Sequence, residues 1–157
     1  MGRDMDHDAF FSRLARVGLL LEAFQERCFD RFGLRFIDYS VLRVLQLEGP
    51  PYELSPTRLS EVVVRSSGGM TQILDRLERA ALVTRRPDPT DRRKVTARLT
   101  PAGLRLVKRA NRAWVMQKEE LLEGVSATDF KRLDLAVWDL LERLDATGVD
   151  DRAMAVR

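Results

Sequence analysis

The sequence predicts a mainly α-helical protein with a small β-ribbon, and three observations carry that prediction. Apolar residues recur at alternating spacings of three and four along most of the chain, the period of an amphipathic helix. A hydroxyl residue followed directly by proline occurs at Ser55-Pro56 and again at Thr100-Pro101, each a side-chain cap with proline at the first helical position. Residues 83–99 break the helical period and read as two short strands around a turn. With 157 residues, 45% of them hydrophobic, the chain can bury one core. No apolar run approaches the roughly 20 residues that span a bilayer, so no membrane partner is expected. The polar start, Met1-Gly2-Arg3-Asp4, has no signal-peptide core, and the expected location is the cytoplasm. A single cysteine, Cys28, rules out an internal disulfide and fits a reducing compartment. A single histidine, His7, far from it in sequence and read as part of a disordered tail, gives no metal-ligand spacing, and no cofactor is expected.

Taken in order, Phe10, Leu14, Val17, Leu21, Phe24 and Cys28 form a coiled-coil-like seam on one long helix from Asp8 to about Phe32, with Gly33 as its stop. Leu19, Leu20, Phe29 and Phe32 widen its apolar surface, so it needs partners from this chain or from a second copy. A second helix covers Ile37 to Glu48, with Val41, Leu42, Val44 and Leu45 inward, and Gly49-Pro50-Pro51 ends it. Tyr52-Glu53-Leu54 can form a short strand. Leu59, Val62 and Val63 face inward on the third helix, which starts at Ser55-Pro56. After a turn at residues 65–69, the fourth helix buries Met70, Ile73, Leu74 and Leu77 and ends near Arg79. Strands at Val83–Arg86 and Val95–Leu99 flank an arginine-rich tip. The fifth helix runs from Thr100-Pro101 to about Gly124, with Leu104, Val107, Trp114, Leu121 and Leu122 on one side. The sixth starts at Ser126 and ends at Gly148, with a stripe of Phe130, Leu133, Val137, Leu140, Leu141 and Leu144. The order αα-β-αα-ββ-αα describes a winged helix-turn-helix enclosed by long terminal helices.

Charge is unevenly spread. Residues 83–98 hold six Arg or Lys against two Asp, a net of +4, while the whole chain is only +3. A polyanion partner follows, and the helix-turn-helix before the basic ribbon makes it double-stranded DNA. On the fourth helix Ser67, Thr71, Gln72, Asp75, Arg76 and Arg79 stand opposite the buried stripe, and the hydroxyl, amide and guanidinium groups of Ser66, Ser67, Thr71, Gln72 and Arg76 suit base edges and phosphates. At the ribbon tip Arg92, Arg93 and Lys94 are expected on the minor groove or the phosphates, with Asp91 pairing to an arginine to shape the wing. Each of these has a blander reading as solvated surface, and Cys28, Trp114 and Trp138 read as core or interface residues rather than reactive or cofactor groups.

The run Leu77-Glu78-Arg79-Ala80-Ala81-Leu82-Val83, the segment Asp88-Pro89-Thr90-Asp91-Arg92-Arg93, and Val95-x-x-x-Leu99-Thr100-Pro101-Ala102-Gly103 resemble the MarR family of bacterial transcription regulators. The resemblance spans nearly the whole chain. It implies a single unit over residues 1–157, with dimerisation helices at 8–33 and 101–148 and the winged helix-turn-helix at 37–100. It also implies a homodimeric repressor released from a pseudo-palindromic operator by a small aromatic or phenolic effector. The family layout puts that effector where the long helices meet the winged lobe, near Phe11, Phe36, Tyr39, Ser40, Arg43 and Arg85. In its DNA-reading half (Gly49-Pro50-Pro51-Tyr52, Ser66-Ser67-Gly68-Gly69-Met70-Thr71) the chain is similar to the urate-responsive branch. It departs from that branch in the ligand half. The only tryptophans are Trp114 and Trp138, and an ungapped count from Gly49 puts Ser40, with Asp38 two residues away, where the branch has an acid. This counts against urate as the effector. A second departure is Ala81, where the family has glycine; a left-handed alanine costs about 1 kcal/mol or somewhat more. The rival from another class is a helical protein–protein adaptor without specific DNA binding. No convergent nucleophile and base suggest an enzyme.

Overall fold

The computed structural model describes residues 6–63, 67–87 and 95–147. Among these residues, six α-helices and three strands follow one another as α1 (His7–Phe29), α2 (Phe36–Leu47), β1 (Glu53–Leu54), α3 (Pro56–Val63), α4 (Ser67–Arg79), β2 (Val83–Pro87), β3 (Val95–Leu99), α5 (Pro101–Leu121) and α6 (Ala127–Asp145). A 3-10 turn, Asp30–Phe32, extends α1 to Gly33, whose left-handed φ of 66° closes it. His7 is the first residue of α1 rather than a disordered tail: the Asp6 side chain caps the helix by accepting from the Ala9 amide at 2.9 Å.

The strands form an antiparallel sheet in the order β1-β3-β2, with Val83 opposite Leu99 and Pro87 opposite Val95. β1 pairs Leu54 with Ala97, which makes β3 the central strand, and Val83, Ala97 and Leu99 turn into the core. There they meet Val41, Leu42 and Leu45 of α2, Leu59 of α3, and Met70, Leu74 and Leu77 of α4. Truncating any of these leucines to alanine is expected to cost about 2–5 kcal/mol. Val62, expected inward, is exposed, because on the eight-residue α3 only Leu59 is buried and only Val63 packs partly against the core.

The long helices are only partly used within one chain. The C-terminal end of α1 is buried through Cys28 and Phe29 in the core that also takes Val107 and Ala110 of α5, with the Trp114 ring 5.4 Å from that of Phe29. The N-terminal part of its seam is exposed at Phe10, Val17 and Leu21. Helix α6 has no buried residue, and Phe130, Leu133, Val137, Trp138, Leu141 and Leu144 all lie open along it.

The joint between the sheet and α5 is tight. Thr100 caps α5 by accepting from the Gly103 amide at 2.9 Å and donates its own hydroxyl to the Ala81 carbonyl at 2.8 Å. Gly103 is required there, since a Cβ on it would lie 2.1 Å from the Leu82 carbonyl oxygen.

Candidate nucleic-acid interface

Helices α3 and α4 make the helix-turn-helix. One face of α4 is sealed by Met70, Ile73, Leu74 and Leu77, so Thr71 and Gln72 are left facing outward near its N-terminal end. A hydroxyl and an amide there can read donor and acceptor patterns on base edges.

The second half of α4 is held by two arginine-centred clusters. Arg76 reaches across to Asp38 on α2, its Nε 3.1 Å from both carboxylate oxygens and its Nη2 in contact with Oδ1. Asp38 is 2% exposed and also accepts from the Arg35 amide at 3.1 Å, so one carboxylate caps α2 and fixes α4. Sequence placed Arg76 on the DNA-reading face; in the fold it does not join Thr71 and Gln72 there, because it borders the buried Ile73–Leu77 stripe and finds an acid below.

The second cluster is built on Arg85 of β2. Its Nη1 donates to Asp75 at 2.6 Å and to Glu78 at 3.3 Å, its Nη2 to the Thr71 carbonyl at 3.2 Å, and its backbone amide to Glu78 at 3.1 Å. A planar guanidinium fork can satisfy several acceptors at fixed angles, so one side chain locks the first ribbon strand to three positions of α4. Arg85 was expected in an effector pocket; it lies instead between β2 and α4. On the other side of the sheet the Thr96 hydroxyl donates to Glu53, tying β3 to β1.

The turn from α4 into β2 is closed by Ala81. Ala81 has φ 56°, a left-handed conformation, and its amide donates to the Glu78 carbonyl at 2.9 Å while Leu82 donates to Leu77 at 2.9 Å. These closing hydrogen bonds, with the Thr100 hydroxyl on the Ala81 carbonyl, offset the backbone strain.

Ser66, Arg92, Arg93, Lys94 and the wing-shaping Asp91 lie outside the described residues, as does the side chain of Ser67. The remaining candidate effector residues are divided. Phe36 and Tyr39 join Phe29 and Trp114 in an aromatic group, with Phe29 and Tyr39 rings stacked at 4.4 Å. The Tyr39 hydroxyl donates to Asn111 on α5 at 2.8 Å. Ser40 donates back to the Phe36 carbonyl at 2.9 Å, Arg43 donates to Gln46 at 2.8 Å, and Phe11 is exposed on α1. Burial pushes the Tyr39 hydroxyl above its ordinary pKa, against the lowering pull of Arg43. Burial likewise raises the Cys28 thiol, with Arg31 opposing, which disfavours the thiolate and fits the inert reading.

Sequence reasoning missed Asp38 as a partner of Arg76, and Asn111 as a partner of Tyr39. The only available signal for Asp38 was an acid three residues after Arg35 at a helix start, a position that satisfies free amides.

Among the described residues no helix is long and apolar enough to cross a membrane, and no group of acids, cysteines and histidines is placed to hold a metal. Residues 32–94 match the model of the MarR family. The chain is 29% identical over 123 residues to the HTH-type transcriptional regulator PecS of Dickeya dadantii, covering 78% of this chain and 74% of that one. Its fold superposes with a TM-score of 0.78 on AbsC, a MarR family transcriptional regulator from Streptomyces coelicolor, at 26% identity over 93% of this chain and 98% of that one. Sco3205, a MarR family regulator of the same organism solved in complex with DNA, gives 0.79 at 22% identity over 92% of this chain and 91% of that one. These relatives are transcriptional regulators and not enzymes, and the chain shares the winged-helix fold of the MarR structures.

Proposed function

We propose that the protein is a homodimeric, sequence-specific regulator of transcription that binds double-stranded DNA and acts as a repressor. The observation that carries this reading is α4 itself. It is a helix buried along one face, presenting Thr71 and Gln72 on the other, and braced by Asp38 from behind and by Arg85 from the wing. Such bracing sets the recognition helix at a fixed angle to the ribbon, which a two-point grip on major and minor groove demands. DNA-bound Sco3205, with the same fold, supports it.

The dimer is supported by the apolar residues that one chain leaves open along α6 and the first half of α1. A second copy would cover them and set the distance between two recognition helices near the roughly 34 Å repeat of the major groove. Sedimentation at micromolar concentration tests this, and a monomer there would overturn it.

For the DNA reading, purified protein would be used to select fragments from the host genome, followed by gel shifts on the recovered sites at moderate salt. The Arg93→Ala, Lys94→Ala double variant is expected to lose operator binding, and unchanged affinity would remove the wing from the interface. A dimer that retains no duplex DNA against competitor would instead support the adaptor reading.

For release, we propose a small aromatic or phenolic effector at the α1–α2–α5 junction, supported by the aromatic group of Phe29, Phe36, Tyr39 and Trp114 with its polar Tyr39–Asn111 pair. The likeness of the DNA-reading half to the urate-responsive branch rests on its motif residues. Urate itself is not proposed, because α1 has no tryptophan and the Ser40 hydroxyl is committed to the Phe36 carbonyl. Such an effector would shift the spacing of the two reading helices only as far as it binds one arrangement better than the other. Fragment release in a gel shift, with and without Tyr39→Phe, tests it; equal release by phenol and cyclohexanol would refute the aromatic site.

A further inference from the structure

We propose that the cleft between the C-terminal end of α1 and the second half of α5 is a binding site for a small molecule bearing at least two negative charges beside an apolar group. The cleft encloses about 1020 Å³ and is lined by residues of 24–32 and 109–121, so it shares nothing with the lobe that carries α3, α4 and the sheet. Its walls hold four arginines, Arg27, Arg31, Arg109 and Arg112, against a single acid, Glu120.

None of these four arginines enters an ion pair among the described residues, whereas Arg58, Arg76, Arg85, Arg132 and Arg143 all find acids. Four like charges around one concavity repel one another, since the separations within a cleft are comparable with the screening length of about 8 Å at physiological salt. Two of them are nonetheless held at its wall. The guanidinium carbons of Arg31 and Arg109 stand 5.1 Å and 6.0 Å from the centre of the Phe32 ring, an attraction that keeps cations at that surface without neutralising them. Guanidinium groups match phosphate and carboxylate through paired N–H donors, and four of them against one acid call for more than one negative charge.

The rest of the lining is apolar. Phe24 and Phe32 are half-buried, and Met116 and Leu121 are open to solvent at 69% and 59%. Gln117 fixes the geometry by donating its side-chain amide to the Phe24 carbonyl at 2.9 Å across the two helices. A cleft of this size, near the upper end of the roughly 300–1,000 Å³ usual for ligand sites, holds an apolar body as well as the anionic head. Either a phosphorylated or a polycarboxylic compound has this chemistry.

Trp114 reports on the site, since its ring lies 5.5 Å from that of Phe24. In a Trp138→Phe background, Trp114 fluorescence would be titrated at constant ionic strength with 1-naphthyl phosphate, naphthalene-2,3-dicarboxylate, inorganic pyrophosphate and neutral 1-naphthol, and the affinities checked by calorimetry. One of the two naphthyl dianions is expected to saturate at least tenfold more tightly than both pyrophosphate and naphthol, and which one does so identifies the head group. The Arg109→Gln, Arg112→Gln double variant, with both positions on the surface, is expected to weaken that binding tenfold or more, while Arg58→Gln leaves it unchanged. A circular dichroism melt confirms that the double variant folds. The proposal is overturned if neither dianion saturates in the millimolar range, as it would if a second copy fills the cleft. It is equally overturned if naphthol binds as well as the dianions or if the double variant binds normally. DNA binding plays no part in these readouts, so their failure leaves the regulator reading untouched.

Discussion

Removing either partner of the Asp38–Arg76 pair should destabilise the fold, and the two removals should differ in size. In Asp38→Ala the lost contacts are the charge-assisted hydrogen bonds from Arg76, worth about 1.5–3 kcal/mol, and the α2 cap on the Arg35 amide, worth about 0.5–2 kcal/mol. The stranded Arg76 side chain is 33% exposed and can reach water, which discounts the loss. The expected cost is therefore about 2–4 kcal/mol, or roughly 5–15 °C in Tm for a chain of this size. In Arg76→Ala the stranded group is a carboxylate only 3% exposed, which cannot rehydrate in place. That loss is expected to be larger, about 3–5 kcal/mol. The double variant should be less destabilised than the two singles together, by a coupling of about 1–3 kcal/mol. Urea unfolding at one fixed protein concentration measures all three, with the concentration held because any self-association adds to apparent stability. If Asp38→Ala proves the costlier single change, or if the two effects simply add, the brace between α2 and the recognition helix is not what the geometry implies.

Other tests follow from the same joints. Arg85→Ala is expected to lower operator affinity about tenfold with little change in the dependence of log K on log salt, because Arg85 is paired to Asp75 and Glu78; a phosphate contact would shift that slope by about 0.9. Ala81→Gly is expected to raise stability by about 1 kcal/mol in the same urea assay, since φ is 56° there and glycine carries no penalty. Gly103→Ala is expected to cost about 3 kcal/mol or more, since its Cβ would lie 2.1 Å from a backbone oxygen, and a Tm within 2–4 °C of wild type, roughly a 1 kcal/mol change, would contradict the close joint. Cys28 and Tyr39 both have raised pKa values in the fold, so the stability they contribute is complete below their unfolded values and is lost as pH rises into the alkaline range. Slow native alkylation of Cys28 by iodoacetamide near neutral pH, with fast reaction in urea, checks the thiol.

Local chemistry made much of the helical framework legible. The Ser55-Pro56 and Thr100-Pro101 starts, the Gly33 stop and the Val95–Leu99 strand all fall where sequence put them. These signals act over a few residues, through caps and fixed φ angles, so no tertiary knowledge is needed. What sequence could not show depends on two distant segments meeting. Arg76 looked like part of the outward face because its helical angle borders it, and only the approach of α2 supplies Asp38. Arg85 was a pocket residue by family layout alone, and only the packing of β2 beside α4 places it against Asp75 and Glu78. The exposed stripe of α6 was legible as amphipathic, but a single chain leaves it open.

The stitching of Thr100 and Gly103 to the Ala81–Leu82 backbone makes α5 a lever whose fulcrum is the end of the recognition helix. At about 1.5 Å per residue, the 21 residues of α5 form an arm of about 31 Å. Over such an arm a displacement equal to one base step, about 3.4 Å, corresponds to a rotation of about 6°. An event at the far end of α5, where the arginine cleft lies, can therefore displace α4 by a base step without any helix unfolding.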